Sequence, residues 1–231
     1  MITPRRAQER GQTSLPWLSS RHTFSFAEYY DPNHMGFSVL RVINDDRIAA
    51  GGGFPSHPHR DMEIVTIVLD GALAHRDNLG NGSVIRPGEV QRMTAGRGIV
   101  HSEFNSSATE PLHLLQIWLL PDRPGLAPGY EQKRFERAEN DFPRLVVSPD
   151  GQGGSLTINQ DARLSVGALG TGNSARVQIG DGRRAWIHVA RGRVRMNGVE
   201  LNEGDGAGVE SESALEFSAL SDAQLLLFDL P

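Results

Sequence analysis

The chain has 231 residues, 38% of them apolar and 22% charged, with a formal net charge of −5. That length supports one large β domain or two of about 100–120 residues, and the acidic balance excludes a basic nucleic-acid footprint. With no cysteine, disulfides and thiolate metal sites are excluded, while Gly 26 and Pro 13 suit strands and turns better than helices.

The N-terminal stretch MITPRRAQERGQTSLPWLSS (1–20) is polar and lacks the apolar run of a secretory signal. No window reaches the roughly 18 apolar residues of a membrane span, so the expected location is cytoplasmic, without membrane partners. Short apolar runs then recur between turn residues: FSVLRVI (37–43), MEIVTIVL (62–69), LHLLQIWLL (112–120), RLVVS (144–148), RLSVGAL (163–169), AWIHVA (185–190), ALEFSAL (214–220) and QLLLFDL (224–230). Runs this short, rich in branched residues, predict strands. The turn signals include DNLGNG (77–82), RPGE (86–89), GDGR (180–183) and NEGDG (202–206). Helices are expected to be few and short; EQKRFERAE (131–139) is the best candidate.

Two segments run alike. EIVTIVLDGALAHRDNLGNGSVIRPGEV (63–90) and AWIHVARGRVRMNGVELNEGDGAGV (185–209) both read strand, glycine, polar strand, Asn-Gly turn, short strand, glycine corner. This predicts two β domains of similar design. The break is expected in the Pro- and charge-rich stretch 121–143, giving domains 1–125 and 126–231.

The chemistry concentrates at two places. His57 and His59 are i and i+2 across Pro58, which favours extended backbone before it. In extended chain both imidazoles point the same way. His101 and Glu103 repeat that spacing in GRGIVHSEFN (96–105), between strand-forming flanks. Either pair alone arises easily by chance. Together, three histidines and a carboxylate suit a divalent first-row metal and leave coordination positions open.

These residues resemble the cupin superfamily. Gly51, His57, His59, Glu63 and Gly71 follow its first motif, with one residue too many before Gly71. Gly98, His101 and Asn105 fit the end of its second motif, although the proline and glycine spacing ahead of it does not. The blocks RHTFSFAEYYDP (21–32), FPSHPHRDMEIVTIVLDG (54–71), AGRGIVHSEFN (95–105) and LHLLQIWL (112–119) more specifically resemble the pirin family within the cupins. That resemblance spans about residues 1–150, and the tail resembles the second cupin of bacterial pirin-like proteins that cleave quercetin.

The resemblance implies an all-β bicupin of two jelly-roll-like β-barrels, with the metal in domain 1–125; His188 stands alone in 126–231, with no His-x-His or His-x-Glu near it, so no metal is expected there. It implies His57, His59, His101 and Glu103 as ligands, iron as the first expectation, and Mn, Co, Ni, Cu or Zn as the others. Glu63, a ligand in the general cupin pattern, becomes a strand residue near the site, or a partner for a ligand imidazole. The implied activity is that of a quercetin 2,3-dioxygenase acting on a flavonol-like aromatic substrate with dioxygen, with Glu103 as ligand and as base if it leaves the metal. Phe54, Val65, Ile67, Leu115 and Ile117 are candidates for an apolar wall around the substrate. A pirin-like redox-sensing interaction protein acting as a transcription coregulator, and a cupin with another small-molecule substrate, are the competing readings. Direct nucleic-acid binding is not expected, and a monomer is. Of the other histidines, His22 and His34 are expected to be structural or exposed and His75 solvent-facing. His113 is expected to be a hydrogen-bonded core residue, and His188 a packing residue.

Overall fold

The structure is a computed structural model that describes residues 1–136 and 138–231. It is all-β. Two seven-stranded and two four-stranded sheets carry the chain, and the only helical segments among the described residues are two 3₁₀ turns, Ala7–Glu9 and Gln152–Gly154. No helix among the described residues is long and apolar enough to cross a membrane.

Each domain pairs a seven-stranded with a four-stranded sheet. In the first, the large sheet runs Gly129–Arg134, Glu89–Thr94, Glu63–Asp70, Leu112–Leu119, Leu40–Ile48, Leu18–His22, Gly11–Leu15. Its small sheet runs Gly53–His59, Ile99–Asn105, Leu73–Asp77, Gly82–Ile85. The expected barrels are therefore open: each domain is two facing sheets, and the strands do not close into one ring.

The internal repeat is visible strand for strand. Glu63–Asp70, Leu73–Asp77, Gly82–Ile85 and Glu89–Thr94 alternate large, small, small, large sheet; so do Arg184–Arg191, Arg193–Met196, Val199–Asn202 and Gly206–Val209. The corner glycines match as well. Gly71 and Gly192 have φ of 78° and 77°, and a Cβ on either would lie within 3 Å of a neighbouring carbonyl oxygen, so both corners require glycine.

The two units exchange edge strands. Ile2–Arg5 pairs with Gly206–Val209 of the second unit, and Gly129–Arg134 pairs with Glu89–Thr94 of the first. The second pairing overturns the expected helix at 131–139. Residues 131–134 are strand, and the Phe135 N–H bonds the Gly88 carbonyl at 2.8 Å. Helix propensity there is a weak preference, and a free sheet edge offers these backbone groups better partners. Residue 137 lies outside the described residues.

The large sheets pack on each other through one apolar layer. Val65, Ile67, Leu69, Leu115, Ile117 and Leu119 of the first domain meet Trp186, Ala190, Leu226, Phe228 and Leu230 of the second. Each fully buried side chain contributes about 1.5–3 kcal/mol, so this layer holds the domains together. It also corrects the expected substrate wall: Val65, Ile67, Leu115 and Ile117 face the second domain. Strand Glu63–Asp70 is buried along seven of its eight residues, because it has protein on both faces, and its unbroken apolar run conceals which face is which. The alternate set, Ile64, Val68 and Leu114, fills the first domain's own interior.

Candidate metal centre

The small sheet of the first domain assembles the site. Gly53–His59 and Ile99–Asn105 are antiparallel, with His101 opposite His57 and Ile99 opposite His59. A Cβ on Gly53 would lie 2.5 Å from the Glu103 carbonyl oxygen and the Phe104 backbone, so glycine permits this close approach. A register shift follows between His101 and Glu103, so that Glu103 pairs with Phe54. Bulges of this kind re-aim side chains beside functional sites.

The three imidazoles converge. Ring centroids are 4.8 Å apart for His57 and His59, 4.4 Å for His57 and His101, and 4.8 Å for His59 and His101. Their nearest ring nitrogens lie within 4.8 Å of one another. Nitrogens bound about 2.1 Å from one ion are about 3–4 Å apart, so small ring rotations suffice. Glu103 joins a second set, with His101 and His75, also within 4.8 Å; His101 is common to both.

The hydrogen bonds favour an ion at the three-histidine position. His57 Nδ1 donates to the Pro55 carbonyl at 2.7 Å, which leaves Nε2 as a lone-pair donor. His101 Nε2 and Glu103 Oε1 are buried with no partner. Buried polar atoms are rarely orphaned without a reason, and here both belong to good ligands for a divalent first-row ion. The donor set therefore fits a divalent metal. Electrostatics agree. Burial, then the charge of His57, lowers the His59 pKa to about 4, and burial with the neighbouring imidazoles holds His101 well below its ordinary value. Both rings are thus neutral and ready to coordinate. Burial and the nearby Asp46 raise Glu103 to about 8, against the hydrogen bond from Gln116; a cation beside it would restore its charge.

The residues around the ligands were less visible in sequence. His75 corrects the expectation of a solvent-facing side chain: it is 1% exposed. Strand Leu73–Asp77 pairs with Ile99–Asn105, placing His75 opposite Glu103 and Asp77 opposite His101. His75 Nε2 meets Asp77 Oδ2 at 3.2 Å, its Nδ1 lies 3.4 Å from His101 Nδ1, and Tyr130 stacks on its ring at 4.9 Å. The signal that could have found it is the i, i+2 alternation Leu73, His75, Asp77. Gln116 was missed too: its Nε2 donates to Glu103 Oε2 at 2.8 Å.

Glu63 turns away from the imidazoles. It accepts from Thr94 Oγ1 at 3.0 Å and Asn159 Nδ2 at 3.1 Å, facing the second domain. His113 also points out of the first domain's interior, its Nε2 2.7 Å from Asp45 Oδ1. His22 is buried with both ring nitrogens engaged, by Thr13 Oγ1 and Asn44 Oδ1 at 2.8 Å each. His34 is partly exposed and pairs with Asp31 at 2.6 Å.

A cavity of about 370 Å³ opens beside His57, His59 and Glu103. Its walls include Trp17, Leu18, Phe26, Phe54 and Trp118, with Asp46, Asn44 and Gln116 as polar members. The size and the mixture suit a small aromatic ligand. A second hollow of about 280 Å³ lies between the domains at Ile67, Val90, Phe135 and Leu226. It has no imidazole in its wall.

Two facing sheets per domain, duplicated, with a histidine cluster in the first, define a bicupin. The pirin family model matches residues 4–119, and the model described as the quercetinase C-terminal cupin domain matches 145–230. The chain belongs to the pirin family. It is 52% identical to a protein named quercetin 2,3-dioxygenase from Escherichia coli K12, over 100% of this chain and 99% of that one. It is 42% identical to a pirin-like protein of Caulobacter vibrioides, covering 99% of each. The crystal structure of the bacterial pirin YhhW of Escherichia coli in complex with nickel(II) superposes with a TM-score of 0.96 at 52% identity, covering 100% of this chain and 99% of that one.

Proposed function

We propose that this chain is a metal-dependent dioxygenase of the quercetin 2,3-dioxygenase type, converting a flavonol and dioxygen to a depside and carbon monoxide. The observation that carries the reading is the cavity of about 370 Å³ that opens onto the histidine cluster between aromatic walls. A metal sensor needs the cluster but has no use for such a cavity. The relatives named quercetin 2,3-dioxygenase support the same substrate class.

In this reading His57, His59, His101 and Glu103 hold the ion. When bound, it supplies Lewis acidity that lowers the pKa of a flavonol hydroxyl reaching it. Bound through their lone pairs, the imidazoles would hold it without adding charge. Gln116 fixes one oxygen of Glu103 and leaves Oε1 for the ion. Trp17, Phe26, Phe54 and Trp118 flank a flat ring system and exclude water. The expected role of Glu103 as base is favoured when it leaves the ion, because coordination lowers the basicity of a carboxylate. The site is assigned to domain 1–125, with 126–231 as the packing domain behind its large sheet. Iron stays the first choice of metal, and the nickel complex of the related pirin makes nickel the second form to test.

The test is carbon monoxide release from quercetin under air, by protein of known metal content. It is run beside His59→Ala and beside free metal at equal concentration. Repeated turnover by the native protein alone supports the reading. No release from Fe, Mn, Co, Ni and Cu forms with filled sites would overturn it in favour of the interaction protein or another substrate.

A further inference from the structure

We propose that Asp46 is the residue that receives the proton of the substrate hydroxyl, while Glu103 stays on the metal. The inference rests on the dioxygenase reading and adds to it a proton acceptor that is not a metal ligand.

Asp46 lies on strand Leu40–Ile48, opposite Ser20 on one neighbour and Leu114 on the other. It lines the metal-side cavity, is 3% exposed, and its Oδ1 has no hydrogen-bond partner. The Ser20 hydroxyl on the neighbouring strand stabilises its charged form. An apolar residue would fill this position at less cost than a half-satisfied carboxyl, so the free oxygen calls for a use.

The other basic groups of the cavity are engaged. Both His22 nitrogens are bonded. His57 and His59 belong to the imidazole cluster. Glu103 has one oxygen without a partner, and a metal bound there would make it a weaker base than an uncoordinated carboxylate. Asp46 is what remains. Burial, with the charge of Asp45 added and Ser20 opposing, raises its pKa to about 7, so its surroundings make it a stronger proton acceptor than an ordinary carboxylate.

The step balances simply. The substrate O–H bond breaks, the proton forms an O–H bond at Asp46 Oδ1, and the electron pair stays on the substrate oxygen. Nothing is oxidised or reduced.

The experiment is anaerobic stopped-flow mixing of quercetin with nickel-loaded protein, following the red-shifted absorption of the deprotonated flavonol. Wild type, Asp46→Asn and Asp46→Glu are compared, with metal content and quercetin affinity measured for each. Asn keeps the shape but cannot accept the proton. The expected result is unchanged metal content and affinity in Asp46→Asn, with the band forming about 100-fold or more slowly, and recovery in Asp46→Glu. Equal rates in wild type and Asp46→Asn would overturn the proposal. So would loss of metal or of fold in Asp46→Asn, which would make Asp46 structural, or absence of the band in wild type. The readout needs no turnover. A rapid band that depends on Asp46, without carbon monoxide release in air, would sink the dioxygenase reading and leave the proton acceptor standing.

Discussion

Lowering the pH should destabilise this protein through one histidine of the second domain. His188 is fully buried in strand Arg184–Arg191, on the face that carries Trp186 and Ala190 against the first domain. Neither ring nitrogen has a partner. Burial, then the charge of Arg10, lowers its pKa from 6.5 to about 3, against the opposing charges of Asp45 and Asp205. The folded state thus binds this proton less readily than the unfolded chain. Its contribution to stability is complete above pH 6.5 and is lost as pH falls from there towards 3. Between pH 7.5 and 5 the unfolded chain gains a factor of about 30 in binding this proton, or about 2 kcal/mol. The assay is urea unfolding at pH 7.5, 6 and 5, with chelator present, for wild type and His188→Gln. Other groups titrate in both and cancel. Wild type should lose about 2 kcal/mol more than the variant over that range. Parallel losses would refute the reasoning and mean that His188 is hydrated or paired in solution.

Three other outcomes follow from the same structure. His59→Ala and Glu103→Ala should each lower metal occupancy on dialysis while the far-UV circular dichroism stays unchanged; full loading in both would remove the site assignment. Leu115→Ala should cost about 2–5 kcal/mol in denaturant unfolding yet leave metal content and flavonol affinity intact, because Leu115 faces the second domain and not the cavity; a change confined to flavonol binding would show the face to be misassigned. His75→Ala should weaken metal affinity about 10- to 100-fold by competitive chelator titration, since its ring abuts His101; unchanged affinity would reduce His75 to packing.

Much of the site could be read without a structure. The i, i+2 spacing of His57 with His59 and of His101 with Glu103 is local, and extended backbone turns each pair to one side whatever the rest of the chain does. The all-β class and the duplicated hairpin pattern are likewise local, because turn residues and short branched runs repeat in order. The face of a strand was not legible where both faces are buried. In EIVTIVLD, Ile64 and Val65 look alike to periodicity, yet one packs inside the first domain and the other against the second.

By itself, then, the sequence determined which residues could ligate a metal and that they would sit on strands, since backbone geometry over three residues suffices for both. Only the tertiary structure decided what surrounds them. His75 reaches His101 because strand Leu73–Asp77 pairs with Ile99–Asn105. Asp46 enters the cavity because Leu40–Ile48 runs between Leu18–His22 and Leu112–Leu119 in the facing sheet. Strand 129–134 became an edge rather than a helix because an unpaired strand of the first domain was there to receive it. Each depends on contacts between segments distant in sequence, and no local spacing encodes them.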